Sequence, residues 1–164
     1  MEMYADITFA HNNKSEELVD AIKKCISEID EDVDVTVEAT TDTQTLIYFM
    51  SGSEGCDIVK SVMELLKKLK CEFARGFITG DEDPYCLLSA LDGNKITTIE
   101  CDFGDYEYIN ELDEDEIPKK HQKQFELGPE TYYNEVFNSW LNGLDKIDGQ
   151  QDYKEVIDGV ISMC

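Results

Sequence analysis

Thr45-Leu46-Ile47-Tyr48-Phe49-Met50 is a dense apolar run of strand length, rich in the side chains that favour a pleated sheet, and it reads as a central strand covered on more than one side. Ser51-Gly52-Ser53-Glu54-Gly55 turns the chain into a helix. Its buried stripe is Ile58, Val62, Leu65, Leu66 and Leu69, with Lys60, Lys67, Lys68 and Lys70 mostly off the stripe. Upstream, across the polar turn Thr40–Thr43, Val33, Val35 and Val37 alternate with Asp34, Thr36 and Glu38, the period of a strand with one wet face. Earlier still, Leu18, Ile22, Cys25, Ile26 and Ile29 recur at helical spacing. Ser15 is placed to cap that helix, and Glu16 and Glu17 sit where its dipole favours anions. Tyr4–Ala10 precedes it as a short strand ended by His11-Asn12-Asn13. Downstream, Cys71–Ile78 reads as a fourth strand, stopped by the polar run from Thr79 to Pro84.

The order strand, helix, strand, strand, helix, strand predicts an α+β chain with a ferredoxin-like βαββαβ core over residues 1–84: an antiparallel sheet with two helices on one face. Residues 85–164 are expected to add a β-hairpin and a helical extension packed on that core as one unit. Tyr85–Ala90 and Lys95–Phe103 supply the hairpin, joined through Leu91-Asp92-Gly93-Asn94, whose Asp-Gly pair is a strong turn signal. After an acidic connection from Gly104 to Glu116, helices are expected at about Pro118–Glu126, Pro129–Leu141 and Gln151–Met163.

Charge is the most informative feature of the composition. The 164 residues hold 37 Asp and Glu against 14 Lys and Arg, a formal charge of −23, and Arg75 is the sole arginine. Direct binding to DNA, RNA or an anionic lipid surface needs clustered cations and is excluded as the expected activity. Hydrophobic residues make up 41% of the chain, enough for a packed core despite the charge. The N-terminal residues carry no basic and apolar signal pattern, and no apolar run approaches about 18 residues. A cytoplasmic protein without a membrane span is the expectation. Cys25, Cys56, Cys71, Cys86, Cys101 and Cys164 are scattered without a CxxC pair or a neighbouring His, and read as reduced core thiols.

The sequence has no GxGxxG, no Walker-type phosphate loop, no HExxH and no nucleophile elbow. His11 reads as a turn residue and His121 as part of a solvated helix face, so neither makes a catalytic pair. Asp92-Gly93 and Asp148-Gly149 both lack the alternating carboxylates of an EF-hand loop, and Asp81-Glu82-Asp83 offers at most loose cation binding. Lys60, Lys67, Lys68 and Lys70 with Arg75 read as partners of local carboxylates rather than as an anion site. Tyr48 and Phe49 resemble the aromatics that RNA-recognition modules display on their central strands, but the basic and glycine pattern of those modules is missing. No catalytic residue, metal or cofactor is expected.

The acidity has an address. Glu100, Asp102, Asp105, Glu107, Glu111, Asp113, Glu114, Asp115 and Glu116 fall in seventeen residues without a Lys or Arg. Fully extended, the segment spans at most about 56 Å, roughly one charge per 6 Å. Folding back brings that spacing toward the ~3.4 Å axial repeat of phosphates along one DNA strand. Phe103, Tyr106, Tyr108, Ile109 and Leu112 are interleaved, and apolar groups of that size are expected to anchor the segment while its carboxylates face outward. Tyr106 and Tyr108 are also placed to offer aromatic contacts. These residues are the expected partner-binding surface of a non-enzymatic acidic protein that inhibits a basic nuclease or other nucleic-acid-binding protein. Small anti-defence inhibitors from phages and mobile elements are similar in size and charge. An immunity protein or antitoxin against a nuclease toxin is the alternative on the same physics, and a small-ligand-binding or enzymatic α+β domain is the alternative from another class. The oligomeric state stays open.

Overall fold

The computed structural model of the chain describes residues 1–81, 85–102, 109 and 111–163. Among these, β1 (Met3–Ala10), α1 (Ser15–Ile29), β2 (Val35–Thr40), β3 (Gln44–Ser51), α2 (Gly55–Lys68) and β4 (Phe73–Gly80) come first in the expected order. They are followed by β5 (Tyr85–Asp92), β6 (Lys95–Asp102), α3 (Lys119–Leu127), α4 (Pro129–Leu141) and α5 (Tyr153–Met163). The chain is α+β: among the described residues five helices lie around one antiparallel sheet of order β2-β3-β1-β4-β5-β6. The second hairpin therefore continues the sheet through β5 and β6 instead of starting a new layer.

Strand periodicity assigns each residue to one of two faces. On the first face Ala5, Ile7 and Phe9 of β1, Ile47 and Phe49 of β3, Ala74 and Ile78 of β4, and Leu87 and Leu91 of β5 meet Ile22 and Ile26 of α1 and Ile58, Val59, Val62 and Leu66 of α2. Gly76 belongs to this face, where a Cβ would stand 2.9 Å from Val59 Cγ1, so its missing side chain sets how closely α2 approaches β4. On the second face Phe77, Leu88, Cys86 and Cys101 pack under Tyr133, Phe137 and Trp140 of α4 and Tyr153, Ile157 and Val160 of α5. Phe77 touches both Trp140 and Tyr153, with ring centroids 5.7 and 4.7 Å away. Two cores thus share the sheet, which is why β4 and β5 are apolar on both sides.

Two local expectations change. Ser15 is the first residue of α1 and not its cap; its hydroxyl lies 2.7 Å from that of Thr45, tying the helix start to β3. β2 begins at Val35 and its register with β3 shifts between Val37 and Ala39, so Glu38 sits at an irregularity that interrupts the simple alternation. The β5–β6 turn is the expected one, with Gly93 at φ +62 where glycine is favoured. Among the described residues no helix is long and apolar enough to cross a membrane.

Candidate acidic interface

The second-face helices are held in place by polar anchors, and these fix which carboxylates are structural and which are free for a partner. Arg75, 3% exposed, is the central anchor. Its Nε donates to the Trp140 carbonyl, Nη1 to the carbonyls of Ala74 (3.0 Å) and Leu91 (3.2 Å), and Nη2 to Asp92 Oδ1 (2.9 Å) and the Asn142 carbonyl (3.0 Å). All five guanidinium N–H groups have acceptors. The Phe73 ring lies 4.2 Å from the guanidinium carbon. A cation at the C-terminus of α4 suits the helix dipole, and the fork joins α4 to β4 and β5 at once. The lysines considered beside it in the sequence belong elsewhere: Lys60 reaches Glu100 across the first face at 3.8 Å, and the sheet separates α2 from the Arg75 side chain. That grouping is not a single patch.

The chain between α4 and α5 crosses to the opposite strands. Asp145 accepts from the hydroxyls of Thr41 (2.7 Å) and Thr43 (2.6 Å), and its amide donates to Gln44 Oε1 (2.8 Å). At the start of α5, Asp6 Oδ2 accepts from the Gln151 amide (3.2 Å) and the Tyr153 hydroxyl (3.1 Å). Burial pushes the Asp6 carboxyl above its ordinary value, against the lowering effect of these hydrogen bonds. The same burial, with the Asp6 carboxylate adjacent, raises the Tyr153 phenol. Asp6 and Asp145 are therefore committed to the fold.

The remaining carboxylates are unevenly placed. Register puts the start of β1, the end of β3, the end of β4 and the start of β5 at one end of the sheet. Glu2, Asp30, Glu31, Asp32, Glu54 and Asp81 are borne there, and no Lys or Arg is within ion-pair distance of them among the described residues. At the other end Lys14, Lys67, Lys68, Lys70 and Lys95 are interspersed with acids such as Glu16, Glu72 and Asp92. The last turn of α1 contains no basic residue, although Glu28 and the C-cap residue Asp30 lie where the dipole disfavours anions.

Of the carboxylates expected to meet a partner, Glu100 is paired with Lys60, and Asp102 is the last residue of β6, opposite Tyr85. Asp105, Tyr106, Glu107 and Tyr108 lie outside the described residues, as do Phe103, Glu82 and Asp83. Glu111, Asp113, Glu114, Asp115 and Glu116 are exposed. Glu114–Glu116 form a 3-10 turn in which the Glu116 amide donates to the Asp113 carbonyl (2.9 Å) and the Asp113 amide to Glu116 Oε2 (3.4 Å). Ile109 is fully buried and Leu112 half-buried, so these two interleaved apolar residues anchor the segment.

A second group escaped the sequence reading. Tyr4 pairs with Met50, and Asp6 with Tyr48, on the second face of β1 and β3. Met50 is 49% exposed and both tyrosines are half-buried. The Tyr4 hydroxyl donates to Glu2 Oε2 (3.0 Å), and the Glu2 amide to Asp81 Oδ1 (3.0 Å). Tyr48 is raised above the ordinary phenol range by burial and by the carboxylates of Asp6, Glu38 and Glu2; Tyr4 is raised chiefly by its bond to Glu2. The alternation of Tyr48 with Phe49 was visible in the sequence, but the strand register that brings Tyr4 and Met50 together was not.

Several of the other polar groups have structural partners, whereas Thr8 Oγ1 and Gln151 Nε2 are buried without one among the described residues. His11 accepts the Asn13 amide at Nδ1 (3.0 Å) and its Nε2 lies 2.9 Å from the Thr41 carbonyl, which ties the ring into the turn. Cys25, Cys56, Cys71, Cys86 and Cys101 are free thiols. Cys86 faces Cys101 across β5 and β6; their thiol hydrogen bond and burial push Cys86 up, the opposite of an activated nucleophile. A cleft of about 360 Å³ lies between β5–β6 and α4, floored by Leu88, Ile99 and Trp140 and crossed by the Lys123–Glu135 pair. Among the described residues no three His, Cys, Asp or Glu side chains are grouped to hold a metal ion. Compared with protein-family models, curated proteins and solved structures, the chain matches none.

Proposed function

We propose that the chain is a non-enzymatic acidic binding protein that occupies the nucleic-acid-binding surface of a basic nuclease or other nucleic-acid-binding protein. The observation that carries this reading is the exposed run Asp113-Glu114-Asp115-Glu116, four carboxylates on one short turn with no ion-pair partner among the described residues. A 3-10 turn rises about 2 Å per residue, so the run presents charge at least as densely as a nucleic-acid strand. Mutual repulsion on such a turn is relieved when Lys and Arg approach. The anchoring of Ile109 means that less chain has to be ordered at that moment. A field of one sign also accelerates encounter with a basic partner and slows encounter with acidic ones.

Affinity capture on the immobilised chain from a nuclease-treated lysate tests the reading. The expected result is retention of basic nucleic-acid-binding proteins at low salt and their release by salt or by added duplex DNA or RNA. Recovery of no basic protein at low salt rejects it.

A further inference from the structure

We propose that the uncovered corner of the second sheet face, Tyr4, Tyr48 and Met50 with Glu2 and Glu38 beside them, is where a Lys- or Arg-bearing segment of the basic partner docks. The inference rests on the preceding reading that the partner is basic, and adds a surface other than the one the acidic turn supplies. The second-face helices pack over β4, β5 and β6 and reach β1 through Tyr153, which bonds to Asp6, while the connection between α4 and α5 covers the far end of β3 at Gln44 and passes beside Glu38. Beyond this cover Thr36 and Met50 are exposed and the two tyrosines half-exposed among the described residues. Aromatic and thioether side chains gathered near the end of two interior strands form an apolar surface that a partner can cover.

Its surroundings specify the chemistry of the cover. The charged groups that bear on Tyr48 are the carboxylates of Asp6, Glu38 and Glu2, and Asp81 joins Glu2 in acting on Tyr4. Past Met50 the surface continues into an open concavity of about 310 Å³, lined by Glu2, Asp30, Asp32 and Val33. An apolar partner would strip water from these carboxylates and give nothing in return, and an anionic one would be repelled. Lys and Arg fit both parts: the charged head meets a phenol face or a carboxylate, while the methylene stem lies along Met50.

The test is titration of the full chain, labelled with nitrogen-15, with a synthetic deca-arginine peptide, followed through the backbone amides. Tyr4→Leu and Tyr48→Leu, which keep bulk but remove the ring, are compared with the wild type. Amide shifts are expected to cluster at residues 3–5, 34–37 and 48–52, with each variant binding about three- to fivefold more weakly, the range of an exposed cation–π contact. Binding with shifts confined to residues 111–116 overturns the inference and leaves the proposed function standing. Binding that is equally strong in wild type and both variants overturns it as well. No binding at low salt rejects the proposed function and this inference together. The wild-type shift map decides the matter even if a variant fails to fold.

Discussion

Arg75 uses every N–H of its guanidinium, and four of its five acceptors are backbone carbonyls on three elements and the turn after α4. Lysine has three donors on one atom and no fork, so Arg75→Lys leaves buried carbonyls unpaired. The expected loss is about 3 kcal/mol, or roughly 6–12 °C in Tm for a chain of this size. Hydrogen exchange should quicken in α4 before α1, and equal acceleration in both helices would contradict the anchoring role. Asp6 couples stability to pH. Its folded pKa is raised, so its contribution is fully present below the unfolded carboxylate range and is lost as pH rises through the folded value. Asp6→Asn keeps an oxygen to accept from Gln151 and Tyr153 without the buried charge. Urea unfolding between pH 4.5 and 8 should show the variant gaining on the wild type as pH rises; parallel curves would refute the assignment. Neither role was legible in the sequence, because burial of Arg75 depends on Trp140 and that of Asp6 on Tyr153, both far along the chain.

At the scale of elements, stability and binding are expected to pull apart. Glu28 lies in the last turn of α1 with no basic neighbour in that turn, so Glu28→Lys should raise stability by about 0.5 kcal/mol, read as a small rise in Tm by calorimetry. A lower Tm would show that the acidic end of α1 carries no dipole penalty. Reversal of Asp113, Glu114, Asp115 and Glu116 to Lys should weaken partner binding far more than reversal of Glu16 and Glu17, which begin α1 where the dipole favours them. Equal losses of affinity would remove the acidic turn from the interface. The elements themselves were readable in advance wherever one pattern ruled: the 3.6-residue stripes of α1 and α2, the Asp-Gly turn after β5, and Pro129 at the start of α4. What failed were statements about ends and neighbours. Ser15 bonds Thr45 instead of capping α1, and the irregularity at Glu38 breaks the alternation assumed for β2.

For the whole molecule, a charge of −23 repels polyanions, and what matters next is where the charge lies. Carboxylates engaged by Arg75, Tyr153 and the threonines at the β2–β3 turn belong to the fold. Those at the start of β1, at the ends of β3 and β4 and on the turn before α3 make only local bonds at the surface among the described residues. The sequence pointed to the acidic turn because its charges are contiguous; the tyrosine corner assembles from strands some forty residues apart and depends on register. Occlusion of the partner's nucleic-acid site implies competition, which a partner obtained by affinity capture makes measurable. With that protein bound to a fluorescent duplex or single strand, addition of this chain should release the nucleic acid completely at one equivalent, with an inhibition constant that weakens steeply as salt rises. A ternary complex in which the partner holds this chain and the nucleic acid together would contradict it.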